Sequence, residues 1–455
     1  MSAARTLAGF AADCGGTLHG ADRAHAGVST DTRTLRAGEI FVALSGPRFN
    51  ASEFVGAAAA AGAAAVVIPA RQDAAIAQIV VPDTLAALTR AAAAWRARFT
   101  LPLIGVAGSN GKTTAKEMTA AILAQAGRCL ATQGNLNNHI GVPVTLLRLD
   151  AAHDYAVIEI GANHPGEVAA LAQLARPGIG LVTNAGAEHL EGFGSLEGVA
   201  RAEGELFAAL GPQDVAIVNA DDAFHDLWRG MTHARVVSFG FGPGADFRAH
   251  DVTTSVGPDG FATRFTLRCP AGETGIQLQL AGRHNVANAL AAAAAALAAG
   301  ARLGHVAAGL ATLRPVKGRL NFRTTRVGAL LIDDSYNANP SSMRAGIDVL
   351  ADLAGRHWLA IGDMGELGAH GEAAHVDIGR YARERGVERL FATGPLSALA
   401  VEAFGAGARW FPDAEALSRE LDATLVKGVS LLVKGSRSNR LERVVDALAS
   451  GQQAQ

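Results

Sequence analysis

The apolar run Leu103-Ile104-Gly105-Val106-Ala107 leads straight into Gly108-Ser109-Asn110-Gly111-Lys112-Thr113-Thr114. A buried strand, a glycine-rich turn and a helix start, in that order, make a phosphate cradle. Glycine lets successive backbone N–H groups point inward, the helix N-terminus adds partial positive charge, and Lys112 adds a full one. Thr113 or Thr114 then supplies the hydroxyl that a phosphate-bound Mg²⁺ takes. The spacing is irregular, because the usual P-loop has glycine five residues before Gly111, where this chain has Val106. A plain strand-to-helix turn with a surface lysine is the alternative, and the nucleotide phosphate site is the favoured reading.

A chain of 455 residues corresponds to about three domains on ordinary domain sizes. Strands are expected at 39–43, 65–68 and 78–81 in a first α/β domain, residues 1–100, whose helical pattern from Leu85 to Phe99 ends at Thr100-Leu101-Pro102. A central domain, 101–313, repeats strand then helix at 103–107, 155–160, 180–183 and 215–218. Continuous apolar strands between helices predict a mostly parallel sheet covered on both faces. Residues 246–280 break that rhythm with an alternating pattern expected to form an antiparallel edge, and 285–299 reads as one Ala-rich helix. Arg314-Pro315-Val316-Lys317-Gly318 opens a third, Rossmann-like domain, 314–455, with strands at 329–332, 358–361, 389–392 and 430–433. Hinges are expected near Pro102 and at 315–318.

Charged residues make up 18% of the chain and the formal net charge is −2, which offers no electrostatic basis for binding nucleic acid or a membrane. Cys14, Cys129 and Cys269 lack the spacing of a disulfide framework or zinc site. Met1 to Gly16 has no basic patch ahead of an apolar signal core, and the longest apolar run, Ala289 to Ala301, is too short to span a bilayer. A soluble, cytoplasmic protein is expected, and nothing in the sequence demands more than a monomer.

Glu159 closes the apolar strand Tyr155-Ala156-Val157-Ile158, where a carboxylate is placed to hold Mg²⁺ directly or through water; a salt-bridged strand end is the alternative. His189 follows another strand, either as a ligand or as a surface hydrogen-bonder. Asn135, Asn137 and Asn138 are too densely polar for ordinary packing, and either cap turns or hold a charged ligand group.

Together these segments resemble the ATP-dependent Mur ligases, which extend the peptide stem of a peptidoglycan precursor. The resemblance covers nearly the whole chain and is closest to the branch that completes the pentapeptide. It rests on Gly134-Asn135-Leu136-Asn137-Asn138, Glu159-Ile160-Gly161-Ala162-Asn163-His164, Glu188-His189-Leu190-Glu191-Gly192-Phe193-Gly194, Asp333-Asp334-Ser335-Tyr336-Asn337-Ala338-Asn339-Pro340 and Gly362-Asp363-Met364-Gly365-Glu366-Leu367-Gly368. The family's shorter Gly-x-x-Gly-Lys-Thr-Thr pattern also accounts for the irregular loop, residues Gly108, Ser109, Asn110, Gly111, Lys112, Thr113 and Thr114.

The resemblance implies that Lys112 contacts the ATP phosphates, that Thr113 and Glu159 hold Mg²⁺, and that His189 serves a second Mg²⁺. It further implies adenine contacts from Asn285 and Asn288, and contacts from Arg319 to phosphate and Asp334 to ribose. The third domain would close over ATP and bind the dipeptide, and Asn135, Asn137, Asn138, Tyr336 and Asn337 would contact substrate. Ser29, Thr30, Asp31 and Arg33 look like the uridine-diphosphate turn; taken alone they read as an Asx turn with an exposed arginine.

Two positions depart from the family. Glu203 stands where a carbamylated lysine is usual and is expected to replace its negative charge. Ser52 stands where histidine is frequent. The implied activity is formation of an acyl phosphate on UDP-N-acetylmuramoyl-tripeptide, followed by attack of the D-alanyl-D-alanine amine. That chemistry needs neutralised charge and positioning more than a protein nucleophile. The diaminopimelate-adding sister typically carries Asp-Asn-Pro-Arg, which is missing here, and the uridine-type turn argues against a folylpolyglutamate synthetase. A non-catalytic nucleotide-binding protein is the remaining alternative, favoured only by Glu203.

Overall fold

The computed structural model describes residues 5–46, 49–257 and 260–449. The first residues of the Met1–Gly16 stretch and the outer ends of the first and third expected domains therefore lie outside the described residues.

Three α/β sheets succeed one another along the chain. The first orders its strands Thr17–His19, Ala77–Val80, Ala65–Ile68, Glu39–Val42 and Gly27–Ser29, with only the Thr17–His19 edge antiparallel. Its residues alternate between two cores. Ile40, Val42 and Val67 face the helices Leu7–Cys14 and Thr84–Arg96, while Phe41, Val66 and Ile68 face Val55–Ala60.

The central sheet is entirely parallel, in the order Arg235–Phe239, Val215–Asn219, Ile179–Val182, Leu103–Ala107, Tyr155–Glu159 and Cys129–Ala131. All five residues of Leu103–Ala107 are buried, as expected of a middle strand with helices on both faces. The strand's carboxyl end therefore opens where ligands sit in such sheets. The helix Arg283–Ala298 lies on one face, and its small side chains let Lys112–Leu123 and Leu303–Thr312 approach closely.

Residues 246–280 pair with this sheet only through a single parallel bridge from Phe247 to Phe239 at its outer edge and add no strand to it. Arg248–Gly257, Gly260–Cys269 and Gly272–Leu278 form a separate antiparallel meander. Its inner residues Phe265, Leu267 and Ile276 join the core around Arg283–Ala298. That burial holds a self-paired unit on the helix layer, so it needs no place at a sheet edge.

The third sheet runs Asn321–Thr324, Leu330–Asp334, Val429–Lys434, Arg356–Gly362, Arg389–Thr393 and Ala408–Phe411, parallel except for its first edge. Among the described residues, no helix is long and apolar enough to cross a membrane.

The two expected hinges differ physically. Near Pro102 the first and second units share one continuous core that includes Trp95, Leu146 and Leu149. The buried Arg96 guanidinium donates to Ala175 O at 2.7 Å and to Arg176 O at 3.0 Å. Pro102 is a boundary inside packed structure and not a free joint. Residues 314–318 are irregular, and the contacts across the boundary beyond them mix polar pairs such as Asn110–Asn339 and His189–Glu366 with an apolar patch in which Phe261 and Ala281 meet Leu320 and Phe322.

Candidate active site

The phosphate loop is built on two glycines that no other residue would replace without strain. Gly108 has φ +115° and a Cβ there would lie 2.3 Å from Thr183 Oγ1; Gly111 has φ +84° and its Cβ would lie 2.5 Å from Asn288 Oδ1. The turn delivers the chain into the helix Lys112–Leu123, whose first N–H groups open onto a cleft of about 530 Å³ between the central and third sheets.

Lys112 lies over the loop. Its Nζ donates to Gly108 O at 2.5 Å, Ser109 O at 3.1 Å and Glu188 Oε1 at 3.0 Å. Burial works against the ammonium charge, but Glu188, Glu203 and Glu159 outweigh it and hold the pKa above the ordinary lysine value.

Glu203 does not line the cleft. It lies under the loop, 3% exposed, and its Oε2 accepts the Gly108 N–H at 2.7 Å. Burial pushes its carboxyl up to about 7, against the pull of Lys112. The helix Leu196–Ala208 that carries it runs behind the strand end, so a short glutamate stops at the loop backbone.

Glu159 faces the cleft from the strand end. Its Oε1 accepts Asn137 Nδ2 at 2.8 Å and Thr113 Oγ1 at 3.2 Å, and its backbone N–H donates to Thr132 Oγ1. Oε2 is buried without a hydrogen-bond partner. A buried carboxylate oxygen of that kind calls for a cation. Mg²⁺ takes one or two carboxylates and hydroxyls and fills its remaining positions with water and phosphate oxygens. Thr113 and Glu159 fit that donor set. No group of three or more His, Cys, Asp and Glu side chains able to hold a metal occurs among the described residues. His189 lines the cleft in a left-handed conformation, φ +49°, with Nδ1 2.6 Å from Glu366 Oε2 of the third unit.

Of the expected asparagines, Asn135 and Asn137 line the cleft, whereas Asn138 does not. Asn138 Oδ1 instead accepts the Ile140 and Gly141 N–H groups, so it is the turn cap that short polar side chains often provide. Asn285 and Asn288 are buried in the cleft wall, where Asn285 Nδ2 bonds Ala281 O. Arg319 reaches across to Thr113 Oγ1 at 3.2 Å, its guanidinium 4.6 Å from the Tyr336 ring centre. Asp334 accepts the Leu320 N–H on Oδ1 and Lys434 Nζ on Oδ2, the latter at 2.7 Å. Asn337 lines the cleft, and its carbonyl accepts the same ammonium at 2.9 Å. Thr114 also lies in the lining.

Ser29, Thr30, Asp31 and Arg33 are outside this cleft. They form a tight turn in which Ser29 Oγ and the Asp31 backbone bond each other and Arg33 makes a two-pronged contact with the Asp31 carboxylate. Ser52 is buried and its Oγ has no partner.

The structure adds residues that local sequence did not single out: Glu188 against Lys112, Lys434 against Asp334, Asn184 and Thr183 on the loop backbone, His284, and the pair Asn339 and Ser341. Burial holds the His284 imidazole below its usual pKa, with Asp334 opposing.

The pattern of the Mur ligase middle domain matches residues 106–296, and that of the Mur ligase glutamate ligase domain matches residues 318–437. A UDP-N-acetylmuramoyl-tripeptide–D-alanyl-D-alanine ligase from Escherichia coli K12 is 46% identical over 438 residues, covering 95% of this chain and 96% of that protein. The chain belongs to the Mur ligase family. Among solved structures, MurF from Acinetobacter baumannii is similar over 98% of both chains, with a TM-score of 0.89 and 35% identity. The MurF ligase from Thermotoga maritima in complex with ADP gives a TM-score of 0.79 at 25% identity, covering 92% of this chain and 96% of that one. In this Mur ligase the middle-domain match begins on the strand ahead of the phosphate loop, and the second match begins at Gly318, beside Arg319.

Proposed function

We propose that this Mur ligase joins D-alanyl-D-alanine to UDP-N-acetylmuramoyl-tripeptide at the expense of ATP, in cytoplasmic synthesis of the peptidoglycan precursor. The observation that carries the site assignment is the pairing, in one cleft, of a lysine folded over a glycine loop with a carboxylate oxygen that lacks a partner. The loop N–H groups and Lys112 receive the ATP phosphates, and Lys112 exchanges its contacts with the Gly108 and Ser109 carbonyls for phosphate oxygens. Mg²⁺ held by Thr113 and Glu159 supplies further neutralisation of phosphate charge when bound. Asn137 fixes the Glu159 carboxylate, and Arg319 brings a second cation from the third unit. Asn285 and Asn288 take the adenine, and Asp334, held by Lys434, takes the ribose.

The substrate carboxylate takes the γ-phosphoryl group and ADP departs. The dipeptide amine then attacks the acyl carbon, phosphate leaves, and the amine gives up a proton. Asn135, His189, Tyr336 and Asn337 all line the cleft; in this reading Asn135, Tyr336 and Asn337 contact substrate, and His189 would serve a second Mg²⁺. Residues 1–100 hold the uridine diphosphate through the Ser29–Arg33 turn. In this reading the working unit is a monomer. Phosphate release from ATP that requires both UDP-N-acetylmuramoyl-tripeptide and D-alanyl-D-alanine tests the reading; release with a single amino acid in place of the dipeptide overturns it.

A further inference from the structure

The phosphate loop has a side-chain contact that the assignments above do not use. Asn110 Oδ1 accepts Asn339 Nδ2 at 2.8 Å, Asn110 Nδ2 donates to Ser341 Oγ at 2.9 Å, and Ser341 Oγ donates to Asn339 Oδ1 at 3.0 Å. The three side chains close a ring across the boundary between the central and third domains. Asn110 is fixed by its backbone to the central domain, because its N–H donates to Asn184 Oδ1 and its carbonyl accepts Thr183 Oγ1 and Asn184 Nδ2. Its side chain is committed to the other domain. There, Asn339 caps the helix Pro340–Ala351 through the Ser342 N–H at 2.8 Å, and Met343 and Ile347 root that helix in the third core. A displacement of the loop tip therefore reaches a rigid element of the third domain through two hydrogen bonds. Gly186 leaves room for the ring, since a Cβ there would lie 2.7 Å from Asn110 Nδ2 and 2.9 Å from Ser341 Oγ.

We propose that Asn339 and Ser341 are positioning residues that hold the phosphate loop through Asn110, so that seating the nucleotide and closing the third domain favour each other. The inference rests on the reading of the cleft as the ATP site. Coupling of this kind is reciprocal: a loop shaped for phosphate holds the domain shut, and a shut domain presents the shaped loop. Loss of the latch lowers the population of the closed, nucleotide-competent form. That raises the apparent KM for ATP and leaves kcat nearly intact at saturation.

Ser341→Ala removes only the hydroxyl and leaves the helix cap. Steady-state phosphate release should show KM for ATP raised roughly five- to tenfold with kcat within about twofold, the scale of one or two hydrogen bonds. Small-angle scattering of the nucleotide-free variant should give a larger radius of gyration than wild type. Ser341→Thr keeps the hydroxyl and should restore both readouts. Asn110→Ala combined with Ser341→Ala should be no worse in KM than the more severe single variant. Unchanged KM and scattering in Ser341→Ala would overturn the latch, as would a fall in kcat at constant KM accompanied by a lower melting temperature. Wild-type enzyme that fails to bind a non-hydrolysable ATP analogue would instead overturn the nucleotide-site reading, and this inference with it.

Discussion

Glu203 accepts the Gly108 N–H from beneath the phosphate loop, within the field of Lys112 and Glu188. Its carboxyl is pushed from an ordinary 4.5 up to about 7, so between those values the folded protein holds a proton that the unfolded chain has released. Its contribution to stability is therefore full below about pH 4.5 and is lost as pH rises through 7. The loss amounts to roughly 3 kcal/mol. Glu203→Gln keeps an acceptor for Gly108 and removes the titration. Melting temperatures from pH 5 to 8 should show the glutamine variant gaining on wild type as pH rises, and parallel curves would refute the assignment.

Gly111→Ala tests the loop's backbone. At φ +84° a side chain costs about 1–2 kcal/mol in conformation alone, and the Asn288 carboxamide must also move. The variant should fold with a modestly lowered melting temperature but show an ATP KM raised at least tenfold. An unaltered KM would mean that the loop backbone does not shape the phosphate site.

How far the sequence foretold this arrangement depends on whether each signal is local. The strands Leu103–Ala107, Ile179–Val182 and Val215–Asn219 were legible because both faces are buried, leaving unbroken apolar runs. Thr17–His19, Gly27–Ser29 and Ala408–Phe411 were not, because they are short edge strands with half-exposed residues and no such run. The glycine loop could be read because its chemistry lies within seven consecutive residues. Lys112 with Glu188, Asp334 with Lys434 and Asn110 with Asn339 join distant parts of the chain, and only the sheet order brings them together. Glu203 could be found as a departure from a family pattern, but its place under the loop depends on where the helix Leu196–Ala208 packs.

Glu159→Gln separates metal binding from local structure. Glutamine retains an acceptor for Asn137 and Thr113, while the partnerless Oε2 is replaced by an amide nitrogen that cannot ligate a cation. Turnover should fall by about 10²–10³, the usual effect of losing one group that stabilises transition-state charge. The Mg²⁺ concentration for half-maximal rate should rise while melting temperature stays close to wild type. Wild-type Mg²⁺ dependence in this variant would remove Glu159 from the metal site.

Lys112→Met is the most demanding case, since the lysine balances charge in the structure and is proposed to act in the chemistry as well. Its ammonium neutralises the largely buried Glu188 and Glu203, and removing one partner of such a group costs about 3–5 kcal/mol. Amide-bond synthesis should fall by about 10³ or more, as expected when a phosphate-binding cation is lost. The two effects separate in Lys112→Met combined with Glu188→Gln. The second change removes one uncompensated carboxylate and should recover part of the melting temperature without recovering product. If the double variant regained both, Lys112 would be acting only as a counter-ion to Glu188, and the cleft would hold its nucleotide by other groups. Substantial synthesis by the single variant would likewise remove Lys112 from the chemistry, because no other lysine approaches the loop carbonyls of Gly108 and Ser109 among the described residues.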